Sequence, residues 1–151
     1  MIIQSVMATA STMSIRIMSY NMHGFNQGYL AFDDLIATNC YDVLFLQEHW
    51  LTPANLSAFD NHFTDYFSVG CSAMIKNVEC GMLHGRPFGG VISLVNNTKI
   101  VQCGDCYVII KIDNLLLINV YFPCSGTKDR IVLCEEMLAE ISSWCESFYM
   151  C

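Results

Sequence analysis

Three apolar stretches of this chain run into residues able to do chemistry: residues 15–20 end on Asn21, 43–46 on Gln47-Glu48, and 115–120 on Tyr121. An amide, a carboxylate and a phenol are thereby delivered to strand ends, where ligands of α/β sheets gather. In the third stretch Asn119 and Tyr121 share one face while Leu116, Ile118 and Val120 share the other. A polar residue at a strand end is also what contact with solvent alone selects, and for any one of the three that plainer account holds. Three coincident ends are what point to a site, and spacing does not name its reaction. Near them stand His23 in a Gly-bearing loop, His49-Trp50 after the glutamate, and Arg86 in the Gly-rich stretch 85–90. Each has two readings: His23 and Arg86 as phosphate or groove contacts or as unliganded loop residues, His49 and Trp50 as cleft lining or ordinary packing.

The elements that must position these residues are partly visible in the periodicities. A strand over 15–21, a loop over 23–28, a helix over 29–39 and a strand over 42–48 suggest a parallel pair joined by a crossover helix. One or two helical turns follow over 55–59, then a strand over 66–75 and a loop over 79–90. Strands are expected over 90–95, 107–112 and 115–121, the last two joined by the tight Asp113-Asn114 turn. From Asp129 onward Ile131, Cys134, Leu138, Ile141, Cys145 and Phe148 recur at spacings of three and four, with Glu136 and Glu140 opposite, which predicts a closing helix with a solvated acidic face. A crossover followed by a meander implies a mixed sheet.

Composition bounds the rest. The chain has 151 residues, enough for one domain with a core. It is 54% apolar and 14% charged, stickier than an ordinary soluble domain at roughly 45–50% and about 25%. No apolar run approaches the ~20 residues of a spanning helix, so no membrane is expected. A net charge of −7 argues against binding nucleic acid through a simple basic surface. Nine cysteines are scattered singly, which suits reduced thiols in an intracellular protein, nuclear or cytoplasmic. The pair in Cys103-Gly-Asp-Cys106 falls between strands and reads as a turn. Residues 1–14 have no basic start and no compact apolar core before a cleavage site, so they are expected as a disordered leader and not a secretory signal.

Four segments, in order, carry a resemblance: Met18-Ser-Tyr-Asn-Met-His-Gly24, Val43-Leu-Phe-Leu-Gln-Glu-His-Trp-Leu51, Gly85-Arg-Pro-Phe-Gly-Gly-Val91 and Ile118-Asn-Val-Tyr-Phe-Pro123. Together they resemble the first half of the endonuclease/exonuclease/phosphatase superfamily, over about residues 15–149. The third and fourth look most like the endonuclease domains of LINE-type (non-LTR) retrotransposons. The resemblance implies a four-layer α/β sandwich of the DNase I-like type, of which this chain supplies about one mixed sheet and its helices. Residues 15–151 would then be the N-terminal part of such a domain, truncated. The sheet face left without its partner would be exposed, which would explain the apolar excess and predicts self-association.

Carried over by motif, Glu48 matches the family's metal-binding glutamate, Asn21 the strand-end asparagine that positions the metal site, and Tyr121 the tyrosine facing the scissile phosphate. The implied cofactor is Mg²⁺, with Mn²⁺ as a substitute, and the implied partner of the full-length parent is DNA. His23 stands where abasic-site endonucleases carry an acidic residue, a departure that fits the retrotransposon branch. The family's Gly-Asp-x-Asn and Ser-Asp-His motifs, which supply the water-activating aspartate and the site histidine, do not occur in this sequence. The resemblance therefore implies a chain that is inactive alone. Two other expectations stand beside it: a non-catalytic remnant or interaction module, and a phosphoesterase acting on a substrate other than DNA.

Overall fold

The computed structural model describes residues 3–10, 13–81, 86–96, 99–104, 106–123 and 126–149; His84, Gly85 and Asp105 lie outside them. Among the described residues, eight strands and four α-helices follow in the order β1 (Ile3–Ala10), β2 (Met13–Asn21), α1 (Phe25–Thr38), β3 (Val43–Gln47), α2 (Ala58–His62), β4 (Phe67–Cys71), α3 (Ile75–Glu79), β5 (Val91–Val95), β6 (Lys99–Cys103), β7 (Tyr107–Ile112), β8 (Leu115–Val120) and α4 (Arg130–Tyr149). A 3-10 turn at Pro53–Asn55 precedes α2. The chain divides into two compact units, Met1–Tyr121 and Phe122–Cys151. The second contains α4, on which Ile131 and Leu138 are exposed.

The first unit holds two sheets. One is mixed, in the order β1-β2-β3-β5-β4, and only β2 and β3 run parallel; the other is an antiparallel meander, β6-β7-β8. β2 and β3 are parallel because α1 carries the chain back between them, as the spacing predicted. Strand alternation then divides the large sheet's side chains. Met18, Tyr20, Leu44, Leu46, Ile92 and Leu94 pack with Phe32 of α1 and Phe59 of α2 on one face. Ile15, Val43, Cys71, Val91 and Val95 pack with Val108 and Ile110 of the second sheet on the other. β3 and β5 therefore lie between two apolar layers, which is why they read as continuous apolar runs.

Several expectations need correction. Part of the expected leader is strand: β1 pairs along β2 from Ile3↔Tyr20 to Ala10↔Met13 and covers what would be the sheet's open edge. Sequence reading expected about one sheet with its inner face exposed. Instead β6–β8 fold back over that face, with β4 against β6 and β7, β5 against β7 and β8, and β3 against β8. Val43, Val91, Val95, Val108 and Ile110 are fully buried as a result, so the surface on which self-association was expected is covered.

The helix expected from Tyr29 begins four residues earlier. Gly24, at φ 96°, opens it, and Gly28 N–H donates to Gly24 O at 2.9 Å. Its first turn is also tied to the chain beyond β3, through Gly24 N–H to Glu48 O at 2.7 Å and Phe25 N–H to His49 O at 2.8 Å. Such long-range backbone partners leave no trace in local periodicity.

Candidate functional site

β2 and β3 end in register, Asn21 opposite Gln47, so Asn21 and Glu48 leave the sheet side by side. Past these ends the backbone turns sharply. His23, Glu48 and Trp50 all adopt left-handed conformations, at φ 51°, 55° and 55°, and Gly24, Gly89 and Gly90 have positive φ as well. Such conformations cost of order 1–2 kcal/mol for residues with a Cβ and concentrate at functional sites. They are held here by backbone bonds between the segments: Glu48 N–H to Gly90 O at 2.9 Å, Trp50 N–H to Gly89 O at 3.0 Å and Met22 N–H to Gln47 O at 2.9 Å.

That backbone aims the side chains. Asn21 Oδ1 accepts the His23 N–H at 3.0 Å, and His23 Nδ1 lies 3.6 Å from Glu48 Oε2. Glu48's side chain is 21% exposed and His23's is 79% exposed, so the pair opens to solvent. The His23 ring also tilts against Trp50, with centroids 4.9 Å apart. Tyr121 reaches the same backbone from the second sheet. A Cβ placed on Gly89, which has φ 59°, would sit 2.9 Å from the Ala73 Cβ and 3.2 Å from the Tyr121 ring, so the phenol lies close against the Gly89-Gly90 segment that holds Glu48. Arg86 is exposed and lines an open cleft of about 340 Å³ with Gly24, Asn26, Gln27, His49, Trp50 and Pro87. The structure thus brings Asn21, His23 and Glu48 into direct contact and sets Tyr121 and Arg86 at their border.

His49 is different. It is fully buried, its Nδ1 accepts the Leu51 N–H at 3.0 Å, and Nε2 therefore carries the proton and faces Cys71 O at 3.1 Å. Burial pulls its pKa down to about 4, against which the bond to Cys71 acts only in part. A neutral, fully bonded imidazole under Gly90 serves packing, and the same residue borders the cleft that Arg86 lines.

Beneath the site runs a polar line that periodicity did not reveal. Gln47 Nε2 donates to Asn119 Oδ1 at 2.7 Å and to Ser19 Oγ at 3.2 Å, and Asn119 Nδ2 donates to Ile92 O at 2.9 Å and Ser93 Oγ at 3.2 Å. Asn119 and Ser93 are buried. This is how β8 is registered against β3, two residues before Tyr121 and one before Glu48. The signal was present: Gln47 adjoins the glutamate, and Asn119 shares the tyrosine's face.

The donor set fits a hard cation in a limited way. Glu48 supplies one partly exposed carboxylate oxygen, and no group of three His, Cys, Asp or Glu side chains among the described residues could hold a metal ion. One carboxylate completed by water and phosphate oxygens is a mode Mg²⁺ uses. A larger hollow of about 820 Å³ among Asp33, Asp34, Asp42 and Asp65 carries no such group either. No helix among the described residues is long and apolar enough to cross a membrane.

No family model matches the chain, and no curated protein matches its sequence. Solved structures do. A 3′ phosphatase, NExo, from Neisseria, solved with a product DNA hairpin, superimposes with a TM-score of 0.61 at 15% identity, over 89% of this chain and 52% of that one. The 3′-5′ exonuclease NExo from Neisseria meningitidis gives 0.59 at 16% identity over the same shares. An AP endonuclease from Archaeoglobus fulgidus gives 0.54 at 18% identity, over 72% of this chain and 41% of that one. The chain therefore spans about half the length of the structures it matches, and what it shares with them is the DNase I-like α/β fold.

Proposed function

We propose that this chain carries the metal-binding part of a divalent-metal-dependent phosphodiesterase site, of the kind that nicks DNA for a LINE-type retrotransposon. The observation that carries the reading is the convergence of Asn21, His23 and Glu48 on strained backbone at adjoining strand ends. Neighbours of the same fold described as acting on DNA support DNA as the substrate class. The retroelement assignment rests on the segments 85–91 and 118–123 and on His23 in place of an acid.

In this reading Glu48 holds Mg²⁺ or Mn²⁺, which when bound offsets charge on a phosphoryl oxygen. Asn21 fixes the loop that presents His23 through its bond to the His23 N–H. The Tyr121 phenol donates to a phosphate oxygen, and Arg86 pairs with the strand's backbone phosphate at the cleft edge. The 151-residue chain alone is inactive, because no Gly-Asp-x-Asn or Ser-Asp-His is present to move the water's proton, a contribution of typically 10²–10⁴-fold. A non-catalytic module is the second reading, favoured by the same missing motifs.

Plasmid nicking in Mg²⁺, comparing the chain with its Glu48→Ala variant, tests this. Both are expected at background. Nicking by the chain that vanishes in Glu48→Ala would overturn the claim of inactivity. The non-catalytic reading gains if metal binding, measured in parallel, is unchanged by the substitution.

A further inference from the structure

The nine cysteines are dispersed in the sequence, yet the fold gathers three of them. Cys71 closes β4 in the large sheet, Cys103 closes β6 in the small one, and Cys106 immediately precedes β7. Because β4 packs on β6 and β7, the end of one sheet meets the turn of the other. The Cys71 and Cys103 thiols are hydrogen-bonded to each other, and Cys106 lies close enough to interact with Cys71 electrostatically. Cys71 is buried, Cys103 exposed and Cys106 between them in exposure. Among the described residues these sulfurs form no set of three side chains able to hold a metal ion, which leaves thiol chemistry.

We infer that Cys71 and Cys103 form a dithiol that closes to a disulfide between the two sheets by exchange with a low-molecular-weight disulfide. Cys103, the solvent-facing sulfur, attacks first as its thiolate. It breaks the small disulfide, releases one small thiolate, and leaves a mixed disulfide on Cys103. Cys71, already in contact with that sulfur, loses its proton to solvent and attacks it, expelling the second small thiolate. Two protein thiols are oxidised, one disulfide is reduced to two thiols, and the released protons end on those thiols.

The order is set by the environment. The hydrogen bond with Cys103 and then burial raise the Cys71 thiol well above the ordinary range, so it stays protonated until its partner has reacted. The new bond would tie the chain between residues 71 and 103 into a loop and constrain the unfolded state. It would also lie behind the site, since Cys71 O is the partner of the His49 ring next to Glu48.

The test uses the 151-residue chain, reduced, desalted and incubated with glutathione disulfide in native buffer. After alkylation and digestion without reductant, peptide mass spectrometry should show the Cys71–Cys103 pair as the principal linked product, with Cys106 alkylated. Cys106→Ser should leave that link unchanged. Cys71→Ala should accumulate glutathione on Cys103, and the exposed Cys103→Ser should form no link while keeping the wild-type circular dichroism. The thermal midpoint of the linked form should rise by several degrees. A principal Cys103–Cys106 link, a Cys71–Cys103 link formed only in urea, or recovery of both cysteines alkylated would each overturn the proposal.

Discussion

Glu48 carries a carboxylate at φ 55°, on backbone that glycine would occupy without penalty. Two opposite effects of one substitution follow. Glu48→Gly should stabilise the fold by up to about 1 kcal/mol, the reverse of the usual sign for a glycine substitution, while removing the proposed metal ligand. Urea denaturation reads the first effect and a metal titration the second. Loss of stability in Glu48→Gly would mean that the carboxylate contributes to folding and that the strain is not kept for function. His49 supplies a pH dependence. Its folded-state pKa of about 4 lies below the unfolded value of 6.5, so the unfolded chain takes up a proton first as pH falls. Stability should be full above pH 6.5 and decline by about 3 kcal/mol towards pH 4. His49→Gln should flatten that decline relative to wild type in urea melts across this range. At this scale the convergence of Asn21 and Glu48 was legible because their two apolar strands both end on polar residues and run side by side. The burial of His49 was not, because a histidine after a catalytic-looking glutamate reads the same whether its ring faces a cleft or a carbonyl.

Among the elements, those with a strong local period matched expectation best. β7 was found over the residues predicted, and α4 begins one residue after the predicted start. β1, β6 and α3 were missed. β6 is short and its register slips between Ile100 and Gln102, while α3 has only five residues, too few for a helical period to register. β1 depends on β2 for its hydrogen bonds and has no period-2 pattern strong enough to stand alone. The contact between α1 and the segment just after β2 rests on Gly28, where a Cβ would overlap the Met22 carbonyl oxygen. Backbone cannot yield as a side chain can, so Gly28→Ala should cost about 1–3 kcal/mol despite its better helix propensity. An unchanged urea midpoint in that variant would show that α1 can move away from Met22 freely.

At the scale of the first unit, the two sheets are joined by apolar packing and by a polar line from Ser19 through Gln47 to Asn119. Asn119→Ala would remove the buried bonds to the Ile92 carbonyl and from the Gln47 amide and should cost about 1–3 kcal/mol. The α/β class was readable from the crossover and the hairpin, and the DNase I-like fold from four ordered motifs. The closure of β6–β8 over the inner face was not, because which sheet a hairpin joins is decided by long-range packing and not by its own alternation.

The central claim is that this fold holds a divalent cation on Glu48 without the groups needed to use it. The enhancement of water-proton relaxation by Mn²⁺ tests it most directly, because it reads binding without requiring turnover. The account predicts saturable Mn²⁺ binding by the wild-type chain, competed by Mg²⁺ and weakened at least about tenfold by the nearly isosteric Glu48→Gln, with circular dichroism unchanged. Equal Mn²⁺ binding by wild type and Glu48→Gln, or none by either, would contradict it.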